Sequence, residues 1–343
     1  MSAFDLAKRI LRAAIGEGRL YEFLRRLWHG ISYEERGEFV IMHQRGRADS
    51  VRLKLERDFA LKLPLDFRAE VPTFRIAAIL HIFYVELAAE LKNLLANIPA
   101  PVDVYISTTD ADKKSALEKI FADFDKGKVT VKVFENRGRD LAPLLVGFRE
   151  IYGGYDLCVH LHSKKSPHDL KLAGWGEYLY RNLLGSPEIV SGILQIMARR
   201  DVGIVFPQYF SAIRSAVHWG ENFQLAKEFA ARLGISLNEH WLAEFPAGSM
   251  FWFKPQALAP LLNCGLTFAD FPAEKAQTDG TLAHALERIF LYVPEREGYR
   301  YAKVSADADK IAGAPVLISQ NAENLNANVE KVCRRLACNG GLD

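Results

Sequence analysis

Val129–Ser166 reads VTVKVFENRGRDLAPLLVGFREIYGGYDLCVHLHSKKS: a strand, a polar turn, a helix, a second strand and a second polar turn. Val129, Val131 and Val133 alternate with polar residues, the period of a strand that runs into Glu135 and Asn136. Asn136-Arg137-Gly138-Arg139-Asp140 then reads as a turn, where Gly138 suits a tight bend or a backbone that something approaches closely. Leu141–Ile151 has helical spacing, with Leu141, Leu144, Leu145 and Phe148 on one face. Tyr155–Leu161 is an apolar strand that runs straight into His162-Ser163-Lys164-Lys165-Ser166. Both polar clusters therefore lie just beyond the carboxyl ends of strands, where open α/β sheets bind ligands. Together they suit an anion joined to a polar body.

The pattern extends to both sides. Upstream, Phe74–Phe83 is an apolar strand, and Tyr84–Asn97 a helix ended by Pro99 and Pro101. Val102–Ser107 is a strand finishing in Thr108-Thr109-Asp110, and Lys113–Phe124 a helix closed by Gly127. Four strands alternating with three helices predict a largely parallel sheet. Downstream, Ser186 and Pro187 open a helix, Val202–Phe206 is a strand, and Phe223–Leu233 is a helix. Gly248-Ser249 lead into an apolar strand holding Trp252. Phe271–Asp279 is a polar loop, and Gly280–Leu291 a helix bearing His284, Glu287 and Arg288.

Outside this region the pattern weakens. Ser2–Ile31 carries two amphipathic runs with basic polar faces, either ordinary docked helices or a surface for an anionic membrane. Tyr33–Val71 reads as a loop-rich link with short structure, and Ser305–Asp343 as a tail or a last docked helix. The expected division is a helical extension over 1–72, an α/β domain over 73–304 and a C-terminal piece over 305–343.

A chain of 343 residues can bury a substantial core. A net charge of +2 argues against a nucleic-acid partner bound through bulk electrostatics. The four cysteines make no CxxC pair and no zinc-spaced cluster, and Cys158 in its apolar strand reads as a buried thiol. No signal peptide and no run of about 18 apolar residues is read, so a cytoplasmic setting is expected.

ENRGRDLAPLL, HLHSKKS, NLLGS, FPAGSMFWFKP and TDGTLAHALER, in this order over about residues 74–300, resemble the motifs of the rhamnan synthesis protein F family. The layout is also similar to GT-A glycosyltransferases. The resemblance implies a GT-A-like, Rossmann-type, mostly parallel sheet flanked by helices, with an N-terminal helical extension. It implies a hexosyltransferase-type enzyme of cell-surface polysaccharide or lipopolysaccharide O-antigen assembly, working at the inner face of the cytoplasmic membrane. Its donor would be a nucleotide-sugar, by the family name a rhamnosyl one, and its acceptor a lipid-linked or polymeric glycan. GT-A enzymes carry a metal-binding Asp-x-Asp at a strand end where this chain has His162-Ser163-Lys164. Asp110-Ala111-Asp112 follows an earlier strand. Metal-independent transfer, with no cofactor, is therefore expected.

Transfer needs the departing diphosphate stabilised, by a metal ion or by fixed cationic donors. His162 and Lys164 are the candidates, with Ser163 and Lys165 beside them on the donor. Asn136, Arg137, Gly138, Arg139 and Asp140 would shape the same donor site, although Asp140 also stands where a helix cap would. Thr108, Thr109 and Asp110 would meet the base or ribose, or form a plain strand-to-helix turn. A base must take the acceptor proton. Asp279, just before a helix, is the first candidate, with an N-cap as its other role; Glu274 and His284 are close by. His284, Glu287 and Arg288 also suit a polar network of their own. Gly248, Ser249 and Trp252 would line the acceptor side. The rival readings are a non-catalytic sugar- or nucleotide-binding subunit, and a transferase of phosphorylated groups.

Overall fold

The computed structural model describes residues 58–68, 71–164, 172–239, 243–274, 279–307, 310–311 and 314–333, within a compact unit that spans Lys54–Asp343. The two amphipathic runs of Ser2–Ile31, and with them the membrane contact, lie outside the described residues, as does Lys165.

Nine strands form one sheet: β1 Ala60–Lys62, β2 Ile76–His81, β3 Val102–Thr108, β4 Val129–Val133, β5 Leu157–His162, β6 Val202–Pro207, β7 Phe251–Phe253, β8 Arg300–Ser305 and β9 Val316–Leu317. Their order is β4-β3-β2-β5-β7-β6-β8-β1-β9. Every neighbouring pair is parallel except those of β7, which runs antiparallel to β5 and β6. The flanking helices are α1 Ala88–Leu95, α2 Ala111–Ile120, α3 Trp175–Leu184, α4 Pro187–Met197, α5 Phe223–Arg232, α6 Leu282–Ile289 and α7 Ala322–Val332. The mostly parallel, helix-flanked sheet expected from the alternation is present. β5 explains why: Leu157–Leu161 are all buried, as in a parallel strand covered on both faces.

The order places a topological switch point between β2 and β5. From β2 the chain builds outward through β3 and β4, then returns to pair β5 on the other side of β2, with His81 opposite His162. The crevice beyond these two strand ends is where such a sheet takes a ligand.

Strands β1 and β9 lie outside the expected α/β domain, and one expectation is corrected. Residues 60–62, read as part of a link, supply β1 between β8 and β9, so the sheet draws on both sides of the expected boundary at 72. Residues 305–333 add β9 and α7 to the same unit. Strands of two or three residues carry too little periodicity to read, and their partners are distant in sequence. Leu141–Ile151 is not one regular helix. Phe148 N–H bonds the Pro143 carbonyl, one residue beyond the α-helical partner, because the Tyr152 hydroxyl takes the Leu144 carbonyl at 2.6 Å. A 3-10 segment then covers Arg149–Gly154.

Candidate functional site

The strand ends at the switch point carry three histidines, and each commits a ring N–H inside the protein. His160 Nδ1–H donates to the Ser249 carbonyl at 2.5 Å, and His162 Nε2–H to the Gly248 carbonyl at 2.8 Å. His81 Nδ1 donates to Ser107 Oγ at 2.9 Å, since that hydroxyl donates onward to the Leu80 carbonyl. Burial is the main force on all three: it pushes His81 and His160 down to about 4, against the pull of Asp140. It pushes His162 down to about 3, helped by the charge of Lys164. Burial thus favours the neutral ring of His162, leaving hydrogen bonding, not charge, as its part. The ring holds the 248–249 turn.

Ser163 is also structural. Its buried hydroxyl accepts the N–H groups of Phe83 and Tyr84 at 2.9 Å each, tying the chain after β2 to the end of β5. Lys164 follows, its backbone fixed by the Tyr180 hydroxyl at 3.1 Å while that hydroxyl donates to the His162 carbonyl at 2.7 Å. Its ammonium lies 3.9 Å from the centre of the Trp175 ring. Burial pulls Lys164 below the ordinary lysine value, while Glu287 and Asp140 hold it up.

The second cluster arrives from the end of β4. Gly138 and Arg139 both have positive φ, 63° and 53°, which bends the chain back toward β5. A Cβ on Gly138 would come within 2.4 Å of the Phe271 ring. Gly138→Val is therefore expected to lower stability by about 2–4 kcal/mol, through strain and overpacking, measurable by denaturant unfolding. Arg137 is spent on packing, with its guanidinium on Glu135 and the Phe271 carbonyl. Asn136 is exposed, and its backbone pairs with Glu274 N–H at 3.4 Å. Arg139 Nε stands 3.5 Å from Glu274 Oε2, and 42% of its side chain is exposed. Asp140 does not cap the following turn with its side chain. Its Oδ2 faces His160 Nε2 at 3.9 Å, and both atoms are buried without a hydrogen-bond partner among the described residues. Asp140 holds Lys164 up and Arg139 pulls it down, so charges of the two clusters act on one another through space.

A fifth element completes the site. Gly248 and Ser249 have φ of 90° and 53°, and this strained pair faces α6. Gly248 N–H and Ser249 Oγ donate to Glu287 Oε1 at 3.1 and 3.2 Å. Glu287 Oε2 is 3.6 Å from Arg288 Nη1, and 16% of the Glu287 side chain is exposed. Burial and then Asp140 raise Glu287 above the usual glutamate value, outweighing the pull of Arg288, Gly248 N–H and Lys164. The charges that act on Lys164 and Glu287 are thus those of Arg139, Asp140 and Arg288, and each of the two acts on the other.

Other expected residues stand apart from it. Thr108 Oγ1 is spent on the Ile82 carbonyl, and Asp110 caps α2 by accepting Lys113 N–H at 2.8 Å, with Thr109 bonded to both neighbours. These bonds form the strand-to-helix turn that was the other reading of the three residues. Trp252 is fully buried in β7, its indole N–H toward the Leu183 carbonyl at 3.3 Å, so neither ring face is open to a sugar. His284 bonds Thr281 Oγ1 at 2.8 Å and is pushed down to about 4 by burial and by Arg139. Asp279 Oδ1 accepts Asn222 Nδ2 at 2.5 Å with Arg288 Nη2 at 3.5 Å, and Oδ2 accepts Glu221 N–H at 3.2 Å. Burial raises Asp279, but Arg288 and Asn222 overcome this and hold it below the usual carboxylate range.

Two site residues lay outside the expected set. Glu287 was legible only as part of a helical network, and His160 was hidden in an apolar strand. Among the described residues, no group of three or more His, Cys, Asp and Glu is arranged to hold a metal, and no helix is long and apolar enough to cross a membrane.

A family model described as rhamnan synthesis protein F matches residues 52–299. The uncharacterized protein WxcX of Xanthomonas campestris pv. campestris is 29% identical over 277 residues, covering 80% of this chain and 39% of WxcX. Its counterpart in a second strain is 28% identical over the same length. The chain thus spans about two fifths of these curated relatives. Among solved structures, the mannosyltransferase PcManGT of Pyrobaculum calidifontis, in complex with GDP-Man and Mn2+, aligns with a TM-score of 0.45 at 14% identity, over 79% of this chain and 66% of that one.

Proposed function

This chain belongs to the rhamnan synthesis protein F family, and from that premise we propose that it is a glycosyltransferase. It moves a hexose, rhamnose being the family's own suggestion, from a nucleotide-sugar to a lipid-linked or polymeric glycan at the inner face of the cytoplasmic membrane, without a metal ion. One observation supports the reading most: the chain after β4 brings Arg139 and Asp140, and the chain after β5 brings Lys164, close enough for their charges and that of Glu287 to act on one another.

Each residue's chemistry follows from its surroundings. Lys164 and Arg139 reach the crevice from different strand ends, so they can bracket a diphosphate between them. Partial burial makes their charge count for more than it would in water. Asp140 offers an acceptor for sugar or ribose hydroxyls. His160, His162, Ser163 and Tyr180 touch no substrate in this reading; they hold Lys164 and the 248–249 turn in place.

The test is a panel of UDP-, GDP- and dTDP-sugars screened for protection against heating. Release of nucleoside diphosphate is then followed with the best binder in excess EDTA. Turnover is expected to persist in EDTA, and Lys164→Ala is expected to lower kcat about 10²–10³-fold. Loss of turnover in EDTA would overturn the metal-free transfer, and full activity in Lys164→Ala would remove the role of that lysine. A protein that binds a nucleotide-sugar tightly and never turns it over is instead a binding subunit of an assembly complex.

A further inference from the structure

We propose that Glu287, and not Asp279, is the general base that takes the proton of the acceptor hydroxyl, so that transfer is a single displacement with inversion at the anomeric carbon. This rests on the glycosyltransferase reading and adds the identity of the base and the stereochemistry.

Asp279 has the sequence position for the task, but its oxygens are already used. Both receive hydrogen bonds, from Asn222 and from Glu221 N–H, and Arg288 lies beside it. A carboxylate held in that way gives up its lone pairs reluctantly and is a weak base. Asp279 lines a groove with Leu225, Phe229, Arg232 and Leu282, and Glu287 is not among that groove's lining residues.

Glu287 has the opposite environment. Oε1 is fixed by the strained 248–249 turn, which orients the carboxylate. Oε2 makes no hydrogen bond to any described residue, and the nearest cation is the Arg288 guanidinium at 3.6 Å. One oxygen is therefore anchored and the other is available. The charged groups that face it are Arg288 on its own helix, Lys164 after β5 and Asp140 after β4. The lysine assigned to the departing diphosphate is thus among the charges that reach it, and an acceptor hydroxyl must approach on that side. The upward push of burial on this carboxyl brings its proton affinity closer to neutrality, the range in which a base is most effective.

In the reaction, the acceptor O–H gives its proton to Glu287 Oε2. The oxygen forms the new bond to the anomeric carbon, and the bond from that carbon to the diphosphate oxygen breaks. The electron pair leaves on the nucleoside diphosphate, toward Lys164 and Arg139, and the proton later passes from Glu287 to water. No carboxylate adds to the sugar, so one displacement occurs and the configuration inverts.

The experiment measures kcat, KM and donor affinity for the wild type, Glu287→Gln, Glu287→Asp and Asp279→Asn, with the best nucleotide-sugar from the panel and octyl glycosides as acceptors. Glu287→Gln is expected to lower kcat by 10²–10⁴-fold with donor Kd unchanged, and Glu287→Asp to keep part of the rate. The acid limb of kcat/KM is expected to persist in Asp279→Asn. Proton NMR of the disaccharide is expected to show the anomeric configuration opposite to that of the donor. Retained configuration, or Glu287→Gln within tenfold of the wild type, would overturn the assignment while leaving the glycosyltransferase reading intact. A wild type that turns over no nucleotide-sugar sinks both.

Discussion

Lys303→Met is expected to lower the unfolding free energy by about 3–5 kcal/mol, the usual consequence of leaving a buried ion pair without one partner. Lys303 lies on β8 with only 2% of its side chain exposed. Its ammonium meets Asp58 Oδ1 at 2.5 Å and the Glu244 carboxylate, and Tyr209 OH donates to Glu244 Oε1 at 2.9 Å. Arg214 approaches the other Asp58 oxygen at 2.6 Å. Desolvation alone would raise Asp58; the Lys303 charge and hydrogen bond, with Arg214, bring it down to about 2 instead. Without the lysine, two carboxylates share a dry site with one arginine. Methionine fills much the same volume, so the loss reads charge and not packing. Differential scanning calorimetry should register a fall in Tm of about 10 °C. Adding Glu244→Gln to Lys303→Met should recover part of it. A loss below about 1 kcal/mol, or no recovery in the double variant, would show that the network is not held by its charges.

Acid is expected to destabilise the protein well above the carboxylate range. His81, His160 and His284 are pushed down to about 4 and His162 to about 3, from an ordinary value of 6.5. The sign follows from proton counting. Between pH 6.5 and 4 the unfolded chain binds protons that the folded chain refuses. The stability these neutral rings contribute is complete above pH 6.5 and is lost as pH falls toward their folded values. For fully buried His160 the loss at pH 5 is about 2 kcal/mol, at 1.36 kcal/mol for each unit below 6.5. Asp58 acts in a lower window, from 3.8 down to about 2. Tm should therefore drop by about 5–10 °C between pH 7.5 and 5. His160→Asn keeps a side-chain N–H for the Ser249 carbonyl and removes the titration, so it should flatten the slope by about one proton. A slope unchanged in His160→Asn would show that the acid response lies elsewhere.

The two polar clusters of Val129–Ser166 were readable at strand ends, and the strand order puts β4 and β5 on opposite sides of β2, with the charges of Arg139 and Asp140 acting on Lys164. Which side chains within them remain available was not readable. His162 and Ser163 look like ligands in a string of letters; in the fold their hydrogen-bonding capacity is spent on backbone. Asp279 looks like a base until Asn222 and Arg288 are seen beside it. Trp252 looks like a sugar platform until β5 and β6 close over its flanks.

Local order was therefore written in the chain: alternating valines, a Gly-bearing turn and apolar strands need only neighbours a few residues away. The parallel sheet follows from that order. Long-range pairing settled the rest. β1 and β9 are too short to carry a period; β1 forms on the edge that β8 offers it, and β9 on β1. Glu287 enters the site only because a turn forty residues upstream is bent to meet it, with φ of 90° and 53° at Gly248 and Ser249. The chemistry of a carboxylate depends on what donates to it and how dry it is, and both are properties of packing.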